Sequence, residues 1–233
     1  KELDGYFVDA QIGDLDGDGI PDLIIVMNLS RFGSNSTHHV FVAVYSWDDG
    51  SFSELPSITL DIGKQDRSLR CNNFSMLDHD ADGDQELVLS FGSPYRGFAI
   101  LDLDSQGRLV IIKKIRPDEM LVGSGLLYSA VVDYDNDGYE DLLAISPEGN
   151  TIKAQPFYNI GGIFDSGPLI RKNFEGISGI LHNSFQLTDW DADGFKDVLA
   201  PFRSGDIIAL TLTPATLVIE RVPVQPGPLT QIE

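Results

Sequence analysis

The sequence predicts an all-β fold built from four similar units, and two observations carry this prediction. A nine-residue acidic segment occurs four times, beginning at Asp14, Asp78, Asp133 and Asp189, with spacings of 64, 55 and 56 residues. Short runs rich in β-branched and aromatic residues surround each copy, and Gly, Asn and Asp separate these runs. No amphipathic helix interrupts the pattern. Since a repeat of this length is one supersecondary unit, each copy is expected to mark one four-stranded sheet.

The strand signals recur in the same order in every repeat, with one strand before the acidic segment and three after it. The four units span about residues 6–65, 70–117, 125–172 and 181–224, and residues 225–233 are expected to form a tail or linker. The predicted strands are residues 7–12, 22–28, 40–47 and 57–62; 72–77, 86–91, 97–102 and 108–115; 126–132, 141–146, 151–158 and 168–171; 184–188, 197–202, 207–213 and 217–222.

The repeated segment has the composition of a loop that binds a hard cation. Each copy carries Asp at positions 1, 3 and 5, Gly at position 6 and an acid at position 9. These carboxylates repel one another without a counter-charge, and the Gly lets the chain curl around a centre. Ca²⁺ takes six to eight oxygen ligands in flexible geometry, whereas Mg²⁺ keeps several waters and Zn²⁺ favours Cys and His. We therefore predict four Ca²⁺ sites.

The predicted ligands are the side chains at positions 1, 3, 5 and 9 and the main-chain carbonyl at position 7, where the side chain varies. They are Asp14, Asp16, Asp18, Ile20 and Asp22; Asp78, Asp80, Asp82, Asp84 and Glu86; Asp133, Asp135, Asp137, Tyr139 and Asp141; Asp189, Asp191, Asp193, Phe195 and Asp197. His79, at position 2, is expected to point away from the ion, and the longer side chain of Glu86 to alter its loop. Acidic surface turns without an ion are the alternative interpretation.

An EF-hand loop begins with the same Asp-x-Asp-x-Asp-Gly pattern, but it also requires a bidentate Glu at position 12 and flanking helices. Position 12 is Ile25, Leu89, Ala144 or Ala200 here, and each lies in a short apolar run typical of a strand. The EF-hand is therefore excluded.

The complete loop pattern, Asp-x-Asp-x-Asp-Gly-x-x-Asp between two strands, resembles the FG-GAP repeat of integrin α-subunit propellers and the related VCBS-type repeats of bacterial secreted proteins. The resemblance extends over about residues 6–224. It implies a β-propeller of four-stranded blades in which the loop joins the first two strands of a blade and binds Ca²⁺. Members of this family usually have about seven blades. Four blades therefore form either a complete ring or part of a larger propeller, whose remaining blades would be a partner.

Charge and composition restrict the classes of partner. The formal net charge is −20, and sixteen of the thirty-six Asp and Glu residues occupy loop positions 1, 3, 5 and 9. No basic stripe is present to bind nucleic acid, and no run of eighteen apolar residues predicts a membrane span. Calcium loops open to solvent suit the millimolar calcium outside cells, so a secreted or cell-surface protein is expected. Cys71 is the single cysteine, which excludes an intrachain disulfide.

The longest repeat indicates a candidate partner face. In the first repeat, residues 29–39 replace a short turn between the second and third strands. The resemblance implies that such hairpins lie opposite the calcium loops and that this face meets ligands. Arg and aromatic side chains favour binding hot spots, and a surface loop without function is the alternative. The candidate residues, all expected to be exposed, are Arg31, Phe32, His38, His39, Tyr95 and Arg96.

Two aromatic residues at loop position 2, Tyr134 and Trp190, have two interpretations. They either pack against the neighbouring blade, which is the favoured interpretation, or provide a sugar-stacking platform. Three Asn-x-Ser/Thr sequons, at Asn28, Asn35 and Asn73, are interpreted as chance occurrences.

The sequence contains no nucleophile elbow, Walker loop or His-Glu-x-x-His motif, and its clustered acids are assigned to metal, so catalysis is not expected. The first hypothesis is a calcium-stabilised scaffold for extracellular adhesion or protein–protein interaction. The alternative is a carbohydrate-binding or polysaccharide-lyase-type propeller, because related calcium-bearing propellers also carry these functions. The ligand is then a protein or a glycan.

Overall fold

The computed structural model describes residues 5–30, 38–48, 50–54, 58–60, 70–92, 95–117, 126–177, 179–180, 185–213 and 216–223. These residues form eighteen strands in four antiparallel sheets, which are the blades of a four-bladed β-propeller. The all-β fold predicted from the sequence is confirmed. In the described part of the chain, no helix has the length and apolar character needed to cross a membrane. The predicted tail, residues 225–233, lies outside the described residues.

In each blade the first four strands form a meander in which consecutive strands pair antiparallel. Blade 1 contains β1 (Gly5–Gly13), β2 (Asp22–Ser30), β3 (His38–Asp48), β4 (Ser51–Glu54) and β5 (Ile58–Leu60). Blade 2 contains β6 (Cys71–Leu77), β7 (Glu86–Phe91), β8 (Gly97–Leu103) and β9 (Leu109–Ile115). Blade 3 contains β10 (Tyr128–Val132), β11 (Asp141–Glu148), β12 (Thr151–Ile160), β13 (Ile163–Ser166) and β14 (Ile170–Asn173). Blade 4 contains β15 (Gln186–Thr188), β16 (Asp197–Pro201), β17 (Ile207–Thr213) and β18 (Thr216–Arg221).

The outer strand is divided in blades 1 and 3, where the sequence predicts a single fourth strand. In blade 3, β13 pairs with the C-terminal part of β12, and β14 pairs with its N-terminal part. Gly161 and Gly162 form the tight turn into β13 with φ of 57° and 84°, and Pro168 lacks the N–H that would continue the ladder. Blade 1 repeats this arrangement, because β4 and β5 both pair with β3. The sequence prediction therefore located β5 and β14 but missed β4 and β13.

Apolar side chains pack between consecutive blades in three clusters, one between blades 1 and 2, one between blades 2 and 3, and one between blades 3 and 4. The strand β7 contributes to two of them, because Leu87 and Leu89 face blade 1 and Val88 faces blade 3. In the same way, Leu142 faces blade 2 and Leu143 faces blade 4. Alternate residues of a strand point to opposite faces of its sheet, so both faces of the middle blades are buried.

The face of blade 1 that points away from blade 2 is apolar and poorly covered. Phe7, Met27 and Phe41 lie side by side on this face, and Ile12 pairs with Leu23 further along it. The side chains of Phe7 and Ile12 are 62% and 71% exposed. Among the described residues, no cluster of buried side chains joins blade 4 to blade 1. Blade 1 therefore offers an apolar sheet face that none of the three clusters covers.

The first strands of all four blades line a common cavity of about 340 Å³, to which Gln11, Phe74, Ala130 and Leu187 contribute. The first strand of each blade is therefore the one nearest the shared cavity.

Candidate metal centres

The four acidic loops connect the first strand of each blade to the second, as the sequence predicts. In every loop at least three carboxylates bring oxygen atoms within 4.8 Å of one another. These groups are Asp14, Asp16 and Asp18; Asp78, Asp80 and Asp82; Asp133, Asp135 and Asp141; Asp189, Asp191 and Asp197. Each of the four loops can therefore hold a metal ion.

The acid at position 9 is buried and is hydrogen-bonded to the backbone of its own loop. Its carboxylate accepts the backbone N–H of position 2, and its exposure is 2% or less in all four copies. The N–H of Leu15 donates to Asp22 at 3.0 Å, that of His79 to Glu86 at 2.7 Å, that of Tyr134 to Asp141 at 2.9 Å, and that of Trp190 to Asp197 at 2.8 Å. Burial raises the pKa of Asp141 to about 6, although the hydrogen bonds that its carboxylate accepts from the N–H groups of Asn159 and Tyr134 lower it.

The acid at position 1 directs one oxygen into the centre of its loop. In the first, third and fourth loops, its Oδ2 atom accepts the N–H of the Gly at position 6 at 2.8, 3.2 and 3.2 Å. The Oδ1 atoms of Asp14, Asp78 and Asp133 are buried and have no hydrogen-bond partner among the residues that the structure describes. A buried carboxylate oxygen without a partner is costly. The oxygen donor set and these unpaired atoms both fit a hard cation at the loop centre.

Two left-handed residues shape each loop. Position 4 has a φ of 68°, 60°, 56° and 62° in the four loops, although it is Gly only at Gly17 and is otherwise Ala81, Asn136 or Ala192. The Gly at position 6 has a φ between 80° and 102°. These reversals, two residues apart, allow positions 1, 3 and 5 to converge. A left-handed Ala is uncommon and strained, so the small size of position 4 in the sequence was a weak signal of a specific backbone.

The second loop corrects the prediction for His79. Its Nδ1 atom lies 2.8 Å from Oε2 of Glu86 instead of pointing away, and His79, Asp80 and Glu86 place ligand atoms within 4.8 Å of one another. The additional methylene of Glu86 lets one oxygen reach both the imidazole and the backbone N–H of His79. Burial raises the pKa of Glu86 to about 7, while the hydrogen bonds from His79 act in the opposite direction.

Of the six residues of the predicted partner face, four lie among the residues that the structure describes. Arg31 and Phe32 lie outside the described residues, and His38 begins β3. His39 is half-buried and Arg96 is exposed. The expectation that Tyr95 is exposed is wrong, because its side chain is 7% exposed and its ring packs edge-on against Phe91 at a centroid distance of 5.3 Å. A large aromatic ring gains more free energy from packing in the core than from staying at the surface, so Tyr95 is buried.

The two aromatic residues at position 2 differ from each other. Tyr134 is 1% exposed and belongs to the cluster between blades 3 and 4, as the packing interpretation predicts, and its ring also lies edge-on to Tyr158 of its own blade, with centroids 6.3 Å apart. Trp190 is 41% exposed on the surface of the fourth loop. The sequons at Asn28 and Asn73 are buried, which agrees with chance occurrence, and Asn35 lies outside the described residues.

Contacts between neighbouring loops were not predicted from the sequence. The N–H of Asp14 donates to Oε1 of Gln85 at 3.2 Å, and the N–H of Gln85 donates to the carbonyl of Asp14 at 2.8 Å. The N–H of Asp78 donates to Oε2 of Glu140 at 3.0 Å. Gln85 and Glu140 both occupy position 8 of the following loop, whereas the fourth loop has Lys196 there, which carries no acceptor. A polar residue at position 8 was the only sequence signal for this link.

The sequence comparison with known families agrees with this geometry. Residues 14–89 match the FG-GAP-like repeat family. The chain thus carries an FG-GAP-like repeat over its first two loops. The match begins at the first residue of the first loop and ends just beyond the second loop, so the repeat of the family includes the acidic segment. No curated protein matches the sequence of this chain.

Three solved structures that are similar to this chain are rhamnogalacturonan lyases. YesW has a TM-score of 0.56 and 18% identity, with 86% of this chain and 41% of the lyase covered. The exotype lyase YesX has a TM-score of 0.55 and 17% identity, with 94% and 48% covered. The PL11 lyase of Bacillus licheniformis has a TM-score of 0.54 and 16% identity, with 93% and 49% covered. At these identities the similarity establishes the fold alone, and this chain spans less than half the length of each lyase.

Proposed function

We propose that the chain is a calcium-binding β-propeller in which one Ca²⁺ in each loop holds the first and second strands of a blade together. The observation that carries this proposal is the set of buried, unpartnered Oδ1 atoms of Asp14, Asp78 and Asp133, each beside converging carboxylates. Ca²⁺ fits better than Mg²⁺ because it accepts six to eight oxygens in flexible geometry. The side chains at positions 1, 3, 5 and 9 would hold the ion, with the carbonyl at position 7.

The role of the ion in this proposal is structural. A cation that binds the folded chain and not the unfolded chain adds about 2.7 kcal/mol of stability at a concentration of one hundred times its Kd. Most acids at positions 3 and 5 are exposed, so the loops are open to solvent. Open loops suit the millimolar calcium outside cells, which supports a secreted or cell-surface location.

Thermal unfolding followed by circular dichroism tests the structural role. We expect the melting temperature to fall in EGTA, to return when millimolar Ca²⁺ is restored, and to return much less with the same concentration of Mg²⁺. An identical melting temperature in calcium and in EGTA would overturn the proposal.

We further propose that the propeller serves as a scaffold for adhesion or protein–protein interaction, and that the open face of blade 1 packs against a further propeller blade. Each of the three blade interfaces in the described chain is a pair of apolar sheet faces, and blade 1 repeats that composition on the side away from blade 2. Exposed apolar patches of this kind mark interaction sites. The greater length of the three similar lyases is consistent with additional blades.

A carbohydrate ligand is the second candidate. Two observations favour it: the three similar structures are rhamnogalacturonan lyases, and Trp190 is exposed beside the fourth loop. The sequence offers no recognised catalytic motif, so binding is proposed in preference to cleavage. Binding to rhamnogalacturonan measured by calorimetry tests this candidate. Trp190→Ala should abolish binding and Trp47→Ala, which changes the other exposed tryptophan, should not. Absence of binding, together with no release of unsaturated sugars, would remove the candidate.

A further inference from the structure

We propose that the second loop completes the calcium site of the first loop. Asp84 supplies a further carboxylate beside that site, and Gln85 fixes the backbone of its first ligand, so that occupancy of the second loop strengthens calcium binding by the first. This inference rests on the proposed calcium-binding function and adds coupling between two of the sites.

The carboxylate of Asp84 lies directly against the first loop. A Cβ atom on Gly17 would stand 1.7 Å from Oδ1 and 2.4 Å from Cγ of Asp84. Gly17 occupies position 4, which accommodates Ala or Asn in the other three loops with a similar φ. Backbone strain alone therefore does not require a glycine here. The absence of a side chain at Gly17 admits the carboxylate of the neighbouring loop.

Asp84 is the only acid at position 7, where the other loops carry Ile20, Tyr139 and Phe195. Its carboxylate stands between the acids of two loops, since it lies against Gly17 of the first loop and two residues from Asp82 of the second. A divalent cation in the first loop converts the repulsion from that side into attraction. Asp84 then adds to the negative charge that holds the ion of the first loop.

Gln85 fixes Asp14 through two hydrogen bonds. Its side chain accepts the N–H of Asp14 at 3.2 Å, and its own N–H donates to the carbonyl of Asp14 at 2.8 Å. Asp14 is the position 1 ligand of the first loop, and its buried Oδ1 atom has no partner in the described part of the chain. Since Gln85 stands between Asp84 and Glu86, an ion that orders the second loop also orders both residues that contact the first loop. Gln85 is thus a positioning residue for the first site.

The same connection weakens along the ring. Glu140 of the third loop accepts the N–H of Asp78, but position 7 of that loop is Tyr139 and supplies no charge. The fourth loop carries Lys196 at position 8 and therefore offers no acceptor to Asp133. Coupling is expected to be strongest between the first and second loops and weakest between the third and fourth.

Hydrogen exchange measured by mass spectrometry during a calcium titration tests the coupling, because it reports each loop separately in one sample. We expect Asp84→Asn to raise the calcium concentration at half-protection of residues 14–22 by about tenfold, which is within the usual range of coupling between sites. The midpoint of residues 189–197 should not move. Asp102→Asn, which removes a neighbouring acid that does not touch Gly17, is the matched control and should leave the first loop within about twofold.

Two further variants separate the mechanism from a local disturbance. Inactivation of the second loop by Asp80→Asn with Asp82→Asn should shift the first loop in the same direction as Asp84→Asn. Gly17→Ala should also weaken the first loop because it displaces Asp84, and combining it with Asp84→Ala should add nothing further. Ala192→Gly, the reverse change in the fourth loop, should leave calcium binding there unweakened.

The outcomes distinguish this inference from the proposed function. If calcium protects no loop in the unchanged protein, the calcium-binding function itself fails. If calcium protects all four loops and the midpoint of the first loop is unchanged in Asp84→Asn and in the variant with an inactive second loop, the coupling is overturned while calcium binding stands.

Discussion

Asn73 and Ser129 join the first strands of blades 2 and 3 by a two-point hydrogen bond. The amide Nδ2 of Asn73 donates to the carbonyl of Ser129 at 2.9 Å, and the N–H of Ser129 donates to Oδ1 of Asn73 at 3.0 Å. Asn28 pairs with Cys71 between blades 1 and 2 in the same way, with both distances at 2.9 Å. All four residues are buried. A buried amide that mimics a backbone group thus connects strands that belong to different sheets.

We expect Asn73→Ala to lower the free energy of unfolding by about 2 kcal/mol or more, because it leaves the buried N–H of Ser129 unpaired and leaves its carbonyl only the longer contact with the hydroxyl of Ser75 at 3.4 Å. Urea denaturation at fixed calcium measures this change. Asn173→Ala, which removes an exposed amide bonded to Thr151, should change the same free energy by less than about 0.5 kcal/mol. Equal effects of the two substitutions would contradict the role given to Asn73.

Asp135→Asn should impair one site and leave the other three intact. The bound calcium, measured by elemental analysis, is expected to fall from four ions to three per chain. The melting temperature in calcium should fall, whereas in EGTA it should not, since the lost carboxylate stabilises the fold through the ion. Asp165→Asn, an exposed acid of β13, is the control and should leave the ion count unchanged.

The thiol of Cys71 should be unreactive in the folded protein. Its side chain is 3% exposed, and burial raises the pKa of Cys71 to about 12. The thiolate is the reactive form, so at pH 8 the folded protein should react with a maleimide far more slowly than the urea-unfolded protein. Ser53→Cys places a thiol on exposed β4 and should react rapidly. Rapid modification of native Cys71 would show that the interface of blades 1 and 2 opens.

The open face of blade 1 should bind a hydrophobic dye. We expect the fluorescence of bound anilinonaphthalene sulfonate to fall when Phe7→Ser is combined with Ile12→Ser. The control combines Ile160→Ser with Ile163→Ser, which removes two equally exposed residues, at 61% and 68%, from the hairpin of blade 3. An equal loss of fluorescence in both variants would mean that the blade 1 face is not a distinct apolar surface.

The sequence predicts the loops and strands well because their signals are local. The pattern of Asp at positions 1, 3 and 5 with an acid at position 9 is complete within nine residues. A strand such as β7 has an apolar sequence because both of its faces are buried. The divided outer strands were missed because a single alternating pattern fits one strand or two. The burial of Tyr95 and the contact of His79 with Glu86 depend on how side chains fold back in three dimensions.

Contacts between loops could not be predicted from the sequence for a different reason. Asp14 and Gln85 are 71 residues apart in the chain and meet only because blades 1 and 2 pack at a specific register. The same holds for the carboxylate of Asp84 against Gly17. From the sequence, the residue at position 7 was expected to contribute only its main-chain carbonyl to the site. The side chain of Asp84, which reaches the neighbouring loop, was therefore not predicted to take part.

The most direct measurement of the central claim is the calcium content of the purified protein after dialysis against millimolar calcium and rapid removal of free ions, determined by elemental analysis. We expect four calcium ions per chain, falling to none when Asn replaces Asp at positions 1 and 3 of every loop. Calcium at the level of the buffer blank in the unchanged protein would contradict the proposed calcium-binding function.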